Sequence, residues 1–158
     1  PTTQQEWDSF VLELNKWIKH EGFAFVPTFG ADQFTADPAD PVIVYEVFGQ
    51  FVVLNFEDVG AGTSGGANGN KFTITNLPSD IRPKWEQVYP ITGLWDAGAL
   101  AGTGTITIGT DGVLTFTLGF SGSGGGFTGS STKGFDDRGN CVIYTLSKLA
   151  QGSQAVSS

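Results

Sequence analysis

The sequence predicts an all-β protein: an antiparallel β-sandwich or jelly-roll-like domain preceded by one N-terminal amphipathic α-helix. Three observations carry this. VIVYEVF, then Gly49-Gln50, then FVVLNF reads as a hairpin with a two-residue, glycine-first turn. TITI, then GTDG, then VLTFTL reads as a second hairpin, with Ile106, Ile108, Leu114, Phe116 and Leu118 on one face and threonines on the other. Beyond residue 22 no stretch alternates strand and helix periodicity as a parallel sheet would require, and turn signals separate about seven or eight short strands. The expected division is residues 1–22 as a docking or trimerising helix, 23–147 as the β-sandwich and 148–158 as a polar tail.

The helix is expected over residues 3–20. Thr3 and Glu6 have capping-box spacing. Trp7, Phe10, Val11, Leu14, Trp17 and Ile18 recur at three and four residues as one apolar stripe. Lys16, Lys19 and His20 fall in the last turns, where cations suit the helix dipole, and Gly22 ends the helix. Trp7, Phe10, Leu14 and Trp17 also fit a and d positions of two heptads, making them the candidate assembly interface. Two heptads are short for an autonomous coiled coil. Packing on the chain's own sheet and packing on another subunit both stay open.

Residues 22–29 form a short strand ended by Pro27. Residues 30–41 (GADQFTADPADP) form a loop whose Asp32, Asp37 and Asp40 could face an ion, although a solvated turn fits the spacing better. The Val42–Phe56 hairpin is apolar on both faces: Val42, Val44 and Phe48 on one, Ile43, Tyr45 and Val47 on the other. It should therefore be covered on both sides, by the helix or by a neighbouring subunit. Residues 60–70 and 119–134 read as glycine-rich loops. The first lacks the ending of a phosphate-binding loop and precedes a strand rather than a helix. KFTITN (71–76) and CVIYTL (141–146) complete the strands, with Cys141 expected as a small buried hydrophobe.

Composition narrows function. The 158 residues carry a net charge of −8, with Lys and Arg together only 8, so neither nucleic acid nor an anionic membrane surface is an expected partner. No apolar run approaches the roughly 20 residues that span a bilayer. The single cysteine cannot form an intrachain disulfide. The chain begins Pro-Thr and contains no methionine, which suits a small protein whose initiator has been removed.

No catalytic residue and no cofactor is expected. His20 is the only histidine and is expected at the helix end, which argues against a Ser-His-Asp triad or a histidine-rich zinc site and suits a helix-end cation. Glu46, Glu57, Asp58, Glu86 and Asp96 are available carboxylates, but sequence alone sets no two of them across a cleft. Trp85, Tyr89 and Trp95 lie near loops and could stack on a sugar ring or anchor a partner; filling the core is the plainer role. Arg82 is expected to tie the proline-punctuated segment Leu77–Pro90 to backbone carbonyls or a carboxylate.

The stretch LPSDIRP, YPI and GTITIGTDGVLTF resembles the β-domain of bacteriophage virion appendages: tail-fibre tips, baseplate proteins and head fibres. The resemblance rests on Leu77, Pro78, Arg82, Pro83, Gly104, Ile106, Ile108, Asp111, Gly112 and Leu114. It implies a trimeric β-sandwich on a virion surface. With no repetitive shaft, the chain is expected to be a capsid decoration (cement) or head-fibre protein, a homotrimer on the major capsid protein or another virion protein. The alternative is a tail-fibre tip recognising host surface glycan. A free carbohydrate-binding module or glycanase is a third class, disfavoured by the absence of a secretion signal.

Overall fold

In a computed structural model, residues 3–18, 20–65, 70–119, 126–129, 131–138 and 140–147 are described, apart from the side chains of residues 13–21. The chain is mostly β, with every strand pair antiparallel and one α-helix near the N-terminus. Helix α1 spans Gln4–Ile18. The strands are β1 (His20–Phe25), β2 (Phe34–Ala36), β3 (Ile43–Phe48), β4 (Phe51–Asn55), β5 (Ala61–Ser64), β6 (Phe72–Ile74) and β7 (Gln87–Ile91). They continue with β8 (Leu94–Asp96), β9 (Ala99–Leu100), β10 (Gly104–Ile108), β11 (Leu114–Leu118), β12 (Thr132–Phe135) and β13 (Cys141–Thr145). A 3-10 turn covers Ser79–Ile81.

Three sheets form, ordered β1-β3-β4-β13, β6-β11-β10-β7 and β2-β5-β12-β8-β9. The first two contain the hairpins expected from sequence. Gly49 takes φ 57° in the β3–β4 turn, a conformation glycine adopts without a Cβ penalty. In the β10–β11 hairpin, Gly109 N–H donates to the Val113 carbonyl at 2.9 Å and Val113 N–H donates to Asp111 Oδ1 at 3.0 Å. Arg82 performs its expected tie: Nε–H donates to the Leu77 carbonyl at 2.9 Å, while Leu77 N–H donates to the Gly112 carbonyl at 3.1 Å. The extended segment is thereby clipped onto the hairpin turn.

The third sheet departs from expectation. β2 lies inside the segment read as an aspartate loop, and β5 and β12 lie inside the two segments read as glycine-rich loops. Their backbones find partners distant in sequence: Thr132 opposite Thr63 and Gly134 opposite Ala61 on one side, Gly134 opposite Trp95 and Phe135 opposite Leu94 on the other. Buried N–H and C=O groups require such partners, and the ladder supplies them where side-chain propensity does not.

The sheets meet at four phenylalanines. Phe56 directly follows β4; Phe72 and Phe116 come from β6 and β11; Phe135 ends β12. Phe56 stacks on Phe135 with centroids 4.7 Å apart, and Phe72 stacks on Phe116 at 4.7 Å. The two stacks meet edge to face at 5.1–5.5 Å. All four are buried. Tyr144 closes the other end, its hydroxyl donating to the Ile81 carbonyl at 2.5 Å.

Helix α1 starts on the expected cap, with Glu6 N–H donating to Thr3 Oγ1 at 3.1 Å. It stops short of the expected end. Lys19 lies outside the described residues, while His20 and Gly22, read as the helix end, belong to β1 opposite Phe48 and Glu46. The β-structure therefore begins within the 1–22 segment, because pairing with β3 captures the backbone from His20 onward. The tail at 148–158 lies outside the described residues.

One expectation about burial is corrected. Cys141 is exposed: alternation along β13 turns Val142 and Tyr144 inward, which leaves Cys141 and Ile143 outward. Among the described residues the β3–β4 hairpin is covered on one face, and they do not supply the expected cover on the other. Ile43, Tyr45, Val52 and Leu54 are buried, whereas Val44, Phe48 and Phe51 on the opposite face are exposed.

Candidate functional site

Two features stand out: the exposed first part of α1, up to Leu12, and a groove on the third sheet. Each described side chain of α1, from Thr3 to Leu12, is exposed. Trp7 retains 49% of its accessible surface, Phe10 50%, Val11 46% and Leu12 63%. Trp7 and Phe10 touch each other edge to face at 6.0 Å. Over these residues the helix does not pack on its own sheet. Leu14 and Trp17, the other two candidate interface residues, fall within α1, but their side chains lie outside the described residues.

The groove has a volume of about 330 Å³ and is lined by Gly60, Ala61, Trp95, Phe135, Asp136 and Asp137. Local sequence explains its floor. β12 runs through the middle of the third sheet, and Gly134 has φ 147°, where an L side chain is strained. A Cβ there would lie 2.4 Å from the Gly60 carbonyl oxygen and 2.7 Å from Ala61 Cα. Only glycine lets β5 and β12 approach this closely.

Trp95 is half-buried in β8, and its Nε1–H donates to Thr132 Oγ1 at 3.0 Å, which fixes the ring plane. Asp136 follows β12 and is nearly buried. It accepts Arg138 Nε–H at 2.6 Å and Nη2–H at 3.0 Å, a two-point pairing with a largely exposed guanidinium. These bonds hold its carboxyl below the usual carboxylate range, against the opposing effect of burial. Asp137 is exposed at the rim.

Of the three aromatics singled out in the sequence, the groove takes only Trp95. Tyr89 lies in β7 of the second sheet, half-buried, with its hydroxyl donating to Gln87 Oε1. Gln87 in turn donates to the Thr145 carbonyl at 2.7 Å, which places Tyr89 in a structural network. Trp85 is half-buried just before β7. Asp32, Asp37 and Asp40 flank β2, and Asp32 and Asp40 hold positive φ values of 58° and 47°, as turn residues do. Among the described residues, no three histidine, cysteine, aspartate or glutamate side chains come together as a metal site. Among them, too, no helix is long and apolar enough to cross a membrane.

Sequence reading missed Lys133. Its side chain is fully buried in β12, with Nζ–H donating to the Lys71 carbonyl at 2.9 Å and the ammonium 5.0 Å from the Phe34 ring centroid. Burial pushes its pKa down to about 8, with Asp96 acting in the opposite direction. Between pH 8 and the ordinary value of 10.5, the native chain binds fewer protons here than the unfolded chain. Stability from this group therefore rises with pH across that window, while below it the cost of the buried charge is fully present. Tyr45, Tyr89 and Tyr144 act oppositely above pH 10: burial raises their pKa values, so the folded chain keeps phenol protons that the unfolded chain releases. Urea midpoints should climb from pH 8 towards 10 and then turn down. Lys133→Met should remove the climb; a wild-type midpoint that falls steadily from pH 8 would refute this account.

No protein-family model matches the chain, and no curated protein matches it. Function must therefore be argued from the chemistry of the surfaces rather than from kinship.

Proposed function

We propose that this chain is a non-enzymatic structural protein of a bacteriophage virion surface, a capsid decoration or head-fibre protein that assembles as a homotrimer on the major capsid protein. The observation that carries the assembly is the helix. Trp7, Phe10 and Val11 share a stripe and are about half exposed in the single chain. Burying one large apolar side chain contributes about 1.5–3 kcal/mol, so three helices offering the same stripe to one another gain substantially by association. The exposed outer face of the first sheet, with Val44, Phe51 and Ile143, supplies a further apolar surface for a neighbouring subunit or the capsid. The net charge of −8 suits an exterior position, away from packaged DNA. The virion setting itself rests on the resemblance of the Leu77–Leu118 stretch.

Sedimentation of the whole chain should give three times its 16.7 kDa mass. The double substitution Trp7→Ser/Phe10→Ser should weaken association by at least about a hundredfold, with the β-sheet circular dichroism unchanged. A wild-type monomer at tens of micromolar would sink the trimer. Virions that shed the protein and keep full head stability would count against cementing.

A second reading, a receptor-binding tip at the tail that recognises host glycan, draws support from the groove beside Trp95. Copy number separates the two: a head protein is abundant on the virion, and a tail tip is scarce.

A further inference from the structure

We propose that the groove beside Trp95 binds a neutral polyhydroxylated ring, the pyranose of a saccharide. The inference rests on the groove alone and holds for either position on the virion. Its lining combines half-buried Trp95 with Asp136, whose carboxylate is already held by Arg138, and the exposed acidic residue Asp137, beside the backbone of Gly60 and Ala61. A pyranose matches both features: its C–H face stacks on an indole, and its hydroxyl groups donate to carboxylate oxygens.

Charge narrows the ligand. An anion such as phosphate would meet the Asp137 carboxylate, while the nearby Arg138 guanidinium is already engaged by Asp136. A cation would find the Asp136 charge already neutralised by Arg138, whose guanidinium stands 2.6 Å from it. What remains is Asp137, an exposed carboxylate that solvent and salt screen. A neutral hydroxyl donor pays neither penalty and still gains a charge-assisted hydrogen bond. The volume of about 330 Å³ accommodates a single sugar ring with room at the open side for a continuing chain.

The site is also preorganised. The Trp95–Thr132 hydrogen bond holds the indole, and the Asp136 N–H donates to the Gly93 carbonyl at 2.8 Å, fixing the carboxylate's backbone. Asp96 accepts Thr128 N–H at 2.8 Å and Thr128 Oγ1–H at 3.0 Å, which ties the neighbouring segment to β8. Little ordering entropy is left to be lost on binding.

The test is a titration of the full ¹⁵N-labelled chain with methyl glycosides of glucose, galactose and mannose and with N-acetylglucosamine. Tetramethylammonium chloride and inorganic phosphate serve as charged probes. The expected result is a saturable shift of the Gly60, Ala61, Asp137 and Trp95 indole resonances with at least one sugar. Trp95→Leu should weaken that binding about tenfold. Asp137→Asn, an exposed substitution that leaves the sheet intact, should also weaken it about tenfold. The proposal is overturned if no sugar shifts these resonances, if only a charged probe does, or if a folded variant binds as tightly as wild type. Those outcomes leave the trimer and its helix variants untouched, so the two readings fail separately.

Discussion

Phe116→Ala should lower the stability of the chain by about 3–5 kcal/mol. Phe116 is fully buried and touches the other three members of the aromatic cluster: Phe72 face to face, Phe56 and Phe135 edge to face. With Phe72, which also meets Phe135, it joins the sheet of β6-β11-β10-β7 to the aromatic side chains of the other two. Truncation removes both its transfer free energy and its ring contacts, and leaves a cavity that three rigid sheets cannot easily close. Chemical denaturation should show a lower midpoint at nearly unchanged slope. Val88→Ala provides the control: Val88 is 58% exposed on β7, and its truncation should cost less than about 0.5 kcal/mol. If Phe116→Ala cost no more than Val88→Ala, the idea of one shared aromatic core would be abandoned.

Gly134→Ala should cost about 2–5 kcal/mol, the sum of backbone strain at φ 147° and a forced separation of β12 from β5. The atoms a Cβ would strike, the Gly60 oxygen and Ala61 Cα, are backbone and cannot rotate away. Gly49→Ala isolates the strain, because Gly49 also has positive φ, 57°, with nothing within 4 Å of the added carbon. Its expected cost is about 1–2 kcal/mol. The difference between the two variants measures the close approach itself. Since Gly60 and Ala61 line the groove, Gly134→Ala should also disturb their amide resonances, whereas Gly49→Ala should not. Equal stability losses would mean that β5 and β12 are not held this close.

Features with local signals are legible in the residues alone. The Thr3 cap and apolar stripe specify α1. Two hairpins follow from strand patterning joined through short turns, and the alternation of Ile106, Ile108, Leu114 and Phe116 specifies which side of the second sheet is buried. Arg82 was legible too, since a rigid extended segment needs a donor to anchor it. The third sheet emerges from long-range pairing. Its strands are short, several contain glycine, and their partners lie far away along the chain, so neither period nor propensity marks them. The groove inherits this: Trp95 could be singled out as an aromatic near a loop, but Asp136, Asp137, Gly60 and Ala61 meet it only because β12 pairs on both sides. The outward turn of Cys141 and the burial of Lys133 have the same origin. A strand's alternation says that neighbours face opposite ways; which way faces the core depends on the layer above it, and that layer comes from elsewhere in the chain.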